Sequence, residues 1–465
     1  MDMILLEAHK DELNSILQTD GDRENSAYIL FGKVCIQNDP WSGKARQRLV
    51  SHKIIPVPEE EKISSSDVHV TWSTRTFVKL LKLAERENLI LGIVHTHPGS
   101  YAFFSEQDTR NEKDLLKILS NRSGDGHTFV SVVLGGDGSF CSRLWTTPSH
   151  EEIFEAIIVS GRSLTFHGNK ESADAEMFDR QARLFGPLFN STVKGLRVGI
   201  IGCGGTGSPT AMLLARLGVG KLLLIDDDVI ELSNLNRVHG ATRDDALNRV
   251  PKVEVIAREI SNADLGTNVA IFKGWVGDTK VRDALKSCDV IFGCTDDHDG
   301  RLFLNRLAYF YGIAVLDMGV RIIPASKNRT YEMAGRVTLV APGAPCLLCR
   351  RLINPVTARD EALKRSNPEE YERRKAEAYV LGGGDPAPVV ITFTTETACM
   401  AVNELLQGLT AFQGENGMKA GRIRRFDISE DRANTCLPVS GCQLCASQEN
   451  WGRADIIPFL DRVGS

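Results

Sequence analysis

The stretch of sequence that decides the fold of most of the chain is residues 196–207, LRVGIIGCGGTG. A continuous apolar run enters a tight turn, and a helix is predicted directly after it. The turn carries Gly202, Gly204, Gly205 and Gly207. Glycines let the backbone approach a phosphate, and the N-terminus of the following helix supplies N–H donors and a positive dipole. The pattern therefore predicts a nucleotide site at the end of a buried strand.

The sequence around this turn alternates strands with helices. KLLLID (221–226), VIFGCTD (290–296) and AVLDMGV (314–320) are further apolar runs, each followed by a helical or turn pattern. Such runs are typical of parallel strands that are covered on both faces. We therefore expect an α/β protein with a Rossmann-like, doubly wound domain. Residues 358–378 are very polar and predict a solvent-exposed helical crossover.

Composition limits the class of protein. The chain has 465 residues, of which 42% are hydrophobic and 25% charged, and this size predicts two or three globular domains. The net charge of −5 argues against a nucleic-acid partner. No apolar run approaches the roughly 18 residues of a membrane helix. The opening MDMILLEAHKDEL has acids where a signal peptide needs bases, so we expect a cytoplasmic protein without membrane partners.

The pattern changes between residues 150 and 195, and we expect one domain over 1–160 and a second over 161–465. In the first, strands are predicted at 27–36, 68–72, 89–95 and 129–134, with helices at 76–87 and 106–119. Runs of both kinds in a segment of this length indicate a compact α+β domain.

The glycine turn has several motifs around it. They are FDRQARLFG (178–186), Asp226-x-Asp228-Val229, Ser233-Asn234-Leu235-Asn236-Arg237, Val250-Pro251-Lys252-Val253, and Cys294-Thr295-Asp296-Asp297 with Arg301 downstream. The turn and Asp226 alone would also fit an NAD-dependent oxidoreductase. Together the motifs resemble ubiquitin-activating enzymes and their bacterial ThiF/MoeB-type relatives, which activate the sulfur carriers of cofactor synthesis. The resemblance covers residues 176 to about 450.

The resemblance implies adenylation of a carboxylate with ATP and Mg²⁺. Attack of a carboxylate on the α-phosphate brings two anions together, so cations must neutralise the developing charge. Arg237 and Lys252 fit that role, and Asp296 is placed to hold magnesium at the end of a strand. Further implied contacts are Asp226 at the ribose, Asp228 elsewhere on the nucleotide, Asn234 and Asn236 at the phosphates, and Arg180 reaching a neighbouring protomer's site. A homodimer is therefore expected, while Asp297, His298 and Asp299 are interpreted as a solvated turn.

The first domain contains a candidate metal site in residues 91–108, LGIVHTHPGSYAFFSEQD. His95 and His97 are two residues apart on a predicted strand, so both imidazoles point to the same face. Pro98 ends the ladder, and Asp108 follows at the start of a predicted helix. Two histidines, one carboxylate and an open fourth position describe a catalytic zinc site.

This spacing, with Ser105 three residues before Asp108, resembles the JAMM motif of JAB/MPN-type metalloproteases. That family cleaves isopeptide or peptide bonds after ubiquitin-like carboxyl termini. The resemblance implies Glu24 as the general base and Ser105 as a group that stabilises the oxyanion. The alternative is a structural histidine pair with Ser105 as an ordinary helix N-cap.

Eleven cysteines include two Cys-x-x-Cys pairs, Cys346 with Cys349 and Cys442 with Cys445. Their paired spacing predicts a closed structural zinc site, with a dithiol redox pair as the alternative. Many activating enzymes carry a catalytic cysteine in the crossover, but none lies between Cys349 and Cys399, and the glycine-rich LGGGD (381–385) has none. Cys399 and Cys436 are weak candidates for a thioester-forming thiol, and the alternative is direct transfer of the carrier from the adenylate to a partner's thiol.

The expected function is therefore a bifunctional enzyme of a ubiquitin-like pathway that adenylates a carrier's C-terminal glycine and cleaves after the same terminus. The fusion resembles bacterial operons that also encode a ubiquitin-like protein and a conjugating enzyme, some of them linked to phage defence. Two alternatives stay open: activation of a sulfur-carrier protein, and a non-catalytic adaptor that only binds ubiquitin-like tails.

Overall fold

The computed structural model describes residues 1–17, 24–65, 70–72, 74–97, 101–124, 127–168, 176–325, 330–376 and 388–462. Two large sheets with helices packed on them make up an α/β protein, as expected from the sequence. Within those ranges, no helix combines the length and the apolar character needed to cross a membrane.

The first sheet has nine strands and runs over the N-terminal part of the chain. The strands up to residue 167 are β1 (Asp2–Leu6), β2 (Ser26–Ile36), β3 (Arg46–Pro56), β4 (Lys62–Ser65), β5 (Val70–Trp72), β6 (Ile90–His97), β7 (Phe129–Gly135), β8 (Phe140–Thr147), β9 (His150–Ile153), β10 (Ala156–Ser160) and β11 (Leu164–His167). Helices α1 (Glu7–Leu17), α2 (Arg75–Glu87) and α3 (Glu106–Ser123) pack around them. The order in the sheet is β11-β10-β1-β3-β2-β6-β7-β8-β9, and β4 pairs with β5 separately.

The apolar runs of this part form the strands predicted from them. The expected strands at 27–36, 89–95 and 129–134 correspond to β2, β6 and β7, and both expected helices form. Of the expected strand at 68–72, residues 70–72 are β5 and 68–69 lie outside the described residues. The charged β3 was not predicted, because its pairing with β2 and β1 rather than its own composition makes it a strand. β11 continues the first sheet a few residues past the expected boundary at 160.

The second sheet has eight strands around the glycine turn. They are β12 (Arg197–Ile201), β13 (Lys221–Asp226), β14 (Asn268–Lys273), β15 (Val290–Gly293), β16 (Ala314–Ile323), β17 (Glu332–Val340), β18 (Gly421–Arg425) and β19 (Glu430–Ala433). The order is β14-β13-β12-β15-β16-β17-β18-β19. β12 to β16 pair in parallel as predicted, whereas β17 to β19 add an antiparallel extension.

Helices cover both faces of this sheet, which gives the doubly wound arrangement. They are α4 (Asp179–Phe185), α5 (Phe189–Gly195), α6 (Gly207–Arg216), α7 (Arg243–Leu247), α8 (Lys252–Ala263), α9 (Arg282–Lys286), α10 (His298–Tyr311), α11 (Pro355–Ser366), α12 (Pro368–Ala376) and α13 (Ile391–Thr410). The polar crossover is helical in α11 and α12, and its last two residues, 377 and 378, lie outside the described part.

The two sheets pack against each other through a shared apolar core. Ile4, Leu6 and Val50 of the first sheet belong to the same buried cluster as Ile201 and Leu223 of the second. The C-terminal segment runs along this junction, where the Gly452 carbonyl lies so close to Gly32 that a Cβ there would stand 2.1 Å from it. The junction is therefore a close-packed interior, and the relative placement of the two domains is fixed by packing.

Two candidate active sites and a cysteine cluster

The two histidines of the first domain meet Asp108 at the end of β6. Nε2 of His95 lies 3.2 Å from one Asp108 oxygen, and Nε2 of His97 lies 3.5 Å from the other. The three donor atoms lie within 4.8 Å of one another, and both imidazoles are buried. Among the described residues, no well-aligned hydrogen bond reaches Nε2 of His95. A buried nitrogen without such a partner, facing a carboxylate, fits the donor set of a zinc ion.

Asp108 is held in place by the start of α3. The Ser105 backbone N–H and hydroxyl each donate to the same Asp108 oxygen at 2.7 Å, and the Asp108 N–H donates to Ser105 Oγ at 3.1 Å. This is a capping box, so Ser105 is the N-cap of α3 and also orients the carboxylate. Burial tends to raise the pKa of Asp108, but the close approach of both histidine rings outweighs it and keeps that pKa far below its usual range.

Glu24 reaches the same site from the segment just before β2. Its Oε1 lies 3.5 Å from Nε2 of His97, and the side chain is buried. Asn25 fixes this segment to β6, since its N–H donates to the Thr96 hydroxyl and its carbonyl accepts from the Thr96 N–H, each at 3.0 Å. The structure thus brings together all five predicted side chains of this site. Pro98, expected to end the strand, lies outside the described residues.

The glycine turn follows β12 as predicted and leads into α6. Gly202 has φ +91°, and a Cβ on Gly207 would lie 1.8 Å from the Gly202 carbonyl oxygen. Only glycine fits such a close return of the backbone. Asp226 closes β13 beside the turn and accepts hydrogen bonds from the N–H groups of Cys203 (2.5 Å) and Asp228 (2.8 Å). The backbone of the turn is thus held against the carboxylate expected near the ribose.

Lys252 and the acidic residues after β13 form the charged side of this cleft. Lys252 Nζ donates to Asp228 at 2.6 Å and lies 4.0 Å from Asp226. Burial works against the charged ammonium, but the neighbouring Asp226 and Asp228 raise the pKa of Lys252 above its ordinary value. Lys252 therefore stays protonated, as neutralisation of a phosphate requires.

Of the remaining predicted residues of the cleft, some are hydrogen-bonded to neighbouring residues and others are exposed to solvent. The Arg237 guanidinium donates to the Ser233 carbonyl at 2.5 Å and to Asn236 at 3.4 Å, and its Cδ packs near Gly205. Asn234 is buried and accepts the Glu231 N–H at 3.2 Å, so it caps its own short turn. Asp296 is exposed just after β15, and Arg180 is exposed on α4.

The interpretation of residues 297–299 as a solvated turn is wrong. Asp299 is buried and pairs with Arg462 at 2.8 Å and also with Arg365. Asp297 is the N-cap of α10, accepting the Gly300 N–H at 2.5 Å. The partners come from distant segments, and for that reason the local sequence looked like an exposed charged turn.

The four predicted cysteines meet as one cluster. Cys346 Sγ lies 3.8 Å from Cys442 Sγ, and Cys349 Sγ lies 3.4 Å from Cys445 Sγ. All four sulfurs lie within 4.8 Å of one another, which fits a tetrahedral structural zinc site. The two pairs come from opposite ends of the crossover, so the cluster ties the chain before α11 to the C-terminal segment.

Neither candidate thioester cysteine has the surroundings of an activated thiol. Burial raises the pKa of Cys399, and Glu396 raises it further. The Cys436 thiol donates to the Leu437 carbonyl at 3.2 Å beside the cysteine cluster. The glycine-rich stretch 381–385 lies outside the described residues.

Sequence reasoning did not predict that the crossover helix α11 packs against the segment after the Asp296–Asp297 motif. Arg365 of α11 stacks on the Trp275 ring, with its guanidinium carbon 4.0 Å from the ring centroid, and pairs with Asp299 directly after the Asp296–Asp297 motif. Glu361 of the same helix accepts the Asp299 N–H at 2.9 Å. No local signal could have found these contacts, because Trp275, Asp299 and α11 are distant in sequence.

A metal-ligand cluster on one sheet and a glycine-turn nucleotide cleft on a doubly wound second sheet define a protein with two separate candidate active sites. The sequence model of the ThiF family matches residues 178–444, and the chain belongs to that family. A second model, described as prokaryotic homologs of the JAB domain, matches residues 7–147. The chain is thus a fusion of a JAB domain with an E1-like ThiF domain, as the motifs implied.

Two sequence relatives, one bacterial and one archaeal, agree with this placement. The sulfur carrier protein ThiS adenylyltransferase of Escherichia coli is 30% identical over 248 residues, which are 53% of this chain and 84% of that protein. The SAMP-activating enzyme E1 of Haloferax volcanii is 31% identical over 183 residues, covering 38% of this chain. The chain spans 63% of the length of that archaeal relative. The crystal structure of E. coli MccB with ATP is 17% identical, covering 58% of this chain and 75% of that one, with a TM-score of 0.44.

Proposed function

We propose that the chain is a bifunctional enzyme of a ubiquitin-like pathway in bacteria. The ThiF domain adenylates the C-terminal glycine of a ubiquitin-like protein, and the JAB domain cleaves peptide or isopeptide bonds after that same terminus. The observation that carries the proposal is the presence, in one chain, of a His–His–Asp cluster with Glu24 beside it and a glycine-turn cleft with Lys252 beside it.

In the nucleotide cleft, the carrier's carboxylate attacks the α-phosphorus of ATP. A bond forms between the carboxylate oxygen and phosphorus, the bond to the bridging oxygen breaks, and pyrophosphate leaves. The glycine turn and the N-terminus of α6 receive phosphate oxygens, while Lys252 and Arg237 offset the charge that develops. Asp296 would hold Mg²⁺ at the end of β15, and Asp226 with Asp228 would bind the ribose side. Asn236 and Asn234 would line the phosphate region.

In the JAB domain, His95, His97 and Asp108 would hold a zinc ion. When bound, zinc supplies the Lewis acidity that activates water and polarises the scissile carbonyl. Glu24 Oε1 lies on the same side of the cluster, where it accepts the proton of the attacking water and returns it to the leaving amine. The Ser105 hydroxyl donates to Asp108 at 2.7 Å, and we assign to it the stabilisation of the developing oxyanion that the JAMM motif implies.

Names of the relatives favour a protein carrier as substrate and leave its kind open. One relative is named a SAMP-activating enzyme E1, and another is named an adenylyltransferase of the sulfur carrier protein ThiS. Activation of a sulfur carrier is therefore the second candidate function. We further propose a homodimer in which Arg180 completes the neighbouring site, a conjugating enzyme as acceptor, and a role in defence against phage.

The adenylation half is tested by carrier-dependent exchange of pyrophosphate into ATP. We expect Asp296→Ala to lower the exchange rate by about 100-fold, the usual effect of removing one electrostatic group from a reaction centre. Asp244→Ala, a matched change at an exposed position in α7, should exchange like the wild type. Exchange that survives Asp296→Ala would overturn the magnesium assignment.

The cleavage half is tested on a carrier that carries a C-terminal extension. Wild type should remove the extension, and His97→Ala should reduce cleavage to background because the metal cluster loses a ligand. His150→Ala, at an exposed histidine of the same domain, is the control. Equal cleavage by wild type and His97→Ala would remove zinc hydrolysis from the proposal.

The fate of the activated carrier distinguishes the two candidate functions. An acceptor that gains the intact carrier favours conjugation, whereas a carrier recovered as a thiocarboxylate favours sulfur transfer.

A further inference from the structure

Arg143 is a buried cation that neither proposed reaction uses. It lies on β8, two strands away from the histidines, and is almost completely inaccessible to solvent. Its Nε donates to Glu112 at 2.8 Å, and Nη1 donates to Glu151 at 2.9 Å. Taking an arginine and a glutamate out of water is costly, so a pair of this kind needs good geometry to persist.

The other groups on Arg143 reach the start of α3. Its Nη2 donates to the Thr109 hydroxyl at 3.1 Å, and its guanidinium lies 3.9 Å from the centre of the Phe104 ring. Thr109 directly follows the metal-ligating Asp108, and Phe104 directly precedes Ser105. The arginine therefore contacts the residues on both sides of the capping box that orients the carboxylate.

Glu112 fastens the next turn of α3 to the sheet. Its carboxylate accepts from Ser131 Oγ at 2.6 Å and from Trp145 Nε1 at 2.5 Å, in addition to Arg143. Ser131 lies on β7, which pairs with the histidine strand β6. The buried network thus sets the distance between the helix that supplies Asp108 and the sheet that supplies His95 and His97.

We infer that Arg143 is a positioning residue. Through Thr109 and Glu112 it holds the Asp108 carboxylate close enough to the two histidines to bind the same ion, and so sets the affinity of this site for zinc. The inference rests on the proposed function, because it concerns the metal of the proposed peptidase site. It assigns to the network an effect on metal affinity beyond its effect on stability. Partners behind metal ligands typically change affinity by about 10- to 100-fold when removed.

The test measures zinc binding by the full-length chain. Arg143→Lys keeps the charge but loses the planar guanidinium, whose separate N–H groups donate to Glu112 and to Thr109. Thr109→Val removes only the hydroxyl and leaves the Arg143–Glu112 pair, so it remains informative if Arg143→Lys does not fold. Thr410→Val removes a comparable hydroxyl, bonded to Leu406 within α13, and is the matched control.

Zinc is counted per chain and its dissociation constant is measured against a competing chelator. Cobalt(II) spectra separate the thiolate site from the histidine site, and pyrophosphate exchange reports whether the second domain stays intact. We expect two zinc ions in wild type and one in His97→Ala. In both Thr109→Val and Arg143→Lys, zinc at the histidine site should bind at least ~10-fold more weakly, with the thiolate site and exchange unchanged.

The outcomes distinguish the positioning role of Arg143 from the existence of the zinc site itself. Two zinc ions in wild type, bound equally tightly by Thr109→Val and by a folded Arg143→Lys, would overturn the positioning role while the proposed peptidase site stands. A lower melting temperature with unchanged zinc affinity would also overturn it, since the network would then be structural only. One zinc ion in both wild type and His97→Ala would show that the histidine site binds no zinc.

Discussion

Arg48 on β3 of the first sheet donates to Asp289 beside the second sheet at 2.5 Å, and both side chains are buried. The same guanidinium donates to the carbonyls of Cys288 at 2.6 Å and Lys286 at 3.2 Å. Three contacts from one buried cation cross the junction between the JAB and ThiF domains. These contacts, together with the apolar core that the two sheets share, join the two domains at their junction.

The junction pair should therefore contribute strongly to stability. We expect Asp289→Asn to lower the free energy of unfolding by about 3–5 kcal/mol, because it removes the carboxylate that is hydrogen-bonded to the buried Arg48 and leaves only Asp2, at 3.8 Å, to balance that charge. Urea denaturation measures this change. The matched control is Asp114→Asn, whose partner Lys117 and own carboxylate are exposed, and it should cost less than about 1 kcal/mol. Equal effects of the two substitutions would contradict the assignment.

Stability should also fall at acidic pH because of His9. Burial lowers the pKa of His9 from 6.5 to about 4, with a further contribution from nearby His52. Between pH 6.5 and 4, His9 is protonated in the unfolded chain but neutral in the folded chain. Its burial therefore does not lower the free energy of unfolding above pH 6.5, and lowers it increasingly as pH falls through this window. Replacing His9 by Gln should flatten that decrease, measured as unfolding free energy against pH. The exposed His150→Gln should leave it unchanged, and an unaltered slope in His9→Gln would contradict the prediction.

The glycine turn should tolerate no side chain at its last glycine. Gly207→Ala would place a Cβ 1.8 Å from the Gly202 carbonyl oxygen, so the turn must open and the phosphate cradle is lost. We expect pyrophosphate exchange to fall to background while the JAB reaction continues. Gly195→Ala is the control, since its added Cβ meets no atom within 4 Å. Exchange at the wild-type rate in Gly207→Ala would show that the turn does not contact the nucleotide.

The crossover helix should influence adenylation through Arg365. Its removal takes away the ion pair with Asp299 and the stacking on Trp275, next to the segment that carries Asp296, and leaves Glu361 as the contact of α11 with Asp299. We expect Arg365→Ala to reduce the exchange rate by about 10-fold and to change the tryptophan fluorescence. Arg373→Ala, at an exposed position on α12, should do neither. An unchanged rate in Arg365→Ala would limit this contact to a structural role.

Cys399 should be dispensable. Its pKa is raised by burial and by Glu396, so the thiol is poorly ionised near neutral pH and is a weak nucleophile. We expect Cys399→Ser to adenylate its carrier and pass it on like the wild type. Gel analysis with and without reducing agent checks this. A carrier adduct that reducing agent removes from wild type, and that Cys399→Ser lacks, would identify Cys399 as a thioester residue after all.

Much of each candidate site could be predicted because its residues lie in short motifs with fixed spacing. His95 and His97 share a strand face, and Asp108 follows at a helix start, so the spacing identifies all three candidate ligands, while the packing of α3 on the sheet sets the distance between them. The glycine turn likewise depends on one strand–turn–helix segment. The cysteine pairs were recognised from their spacing although 92 residues separate them, because metal ligands must come in such sets.

What escaped prediction depends on contacts between distant segments. β3 is a strand because β1 and β2 flank it, and Asp299 is buried because Arg365 and Arg462 reach it from elsewhere. Neither fact leaves a periodic signal in the local sequence, since the partner supplies the hydrogen bonds and counter-charges that make burial possible.

The sequence by itself determined the α/β class, the two-module organisation and the residues of all three candidate sites, because glycine conformation, ligand chemistry and strand periodicity act over a few neighbouring residues. Only the tertiary structure decided how the modules are joined, through Arg48 and the C-terminal segment, and how Arg143 lies behind Asp108. Those features depend on buried polar partners that no single stretch of sequence contains. A buried charge is stable only where the fold places an opposite charge next to it, and here the two charges come from distant parts of the sequence.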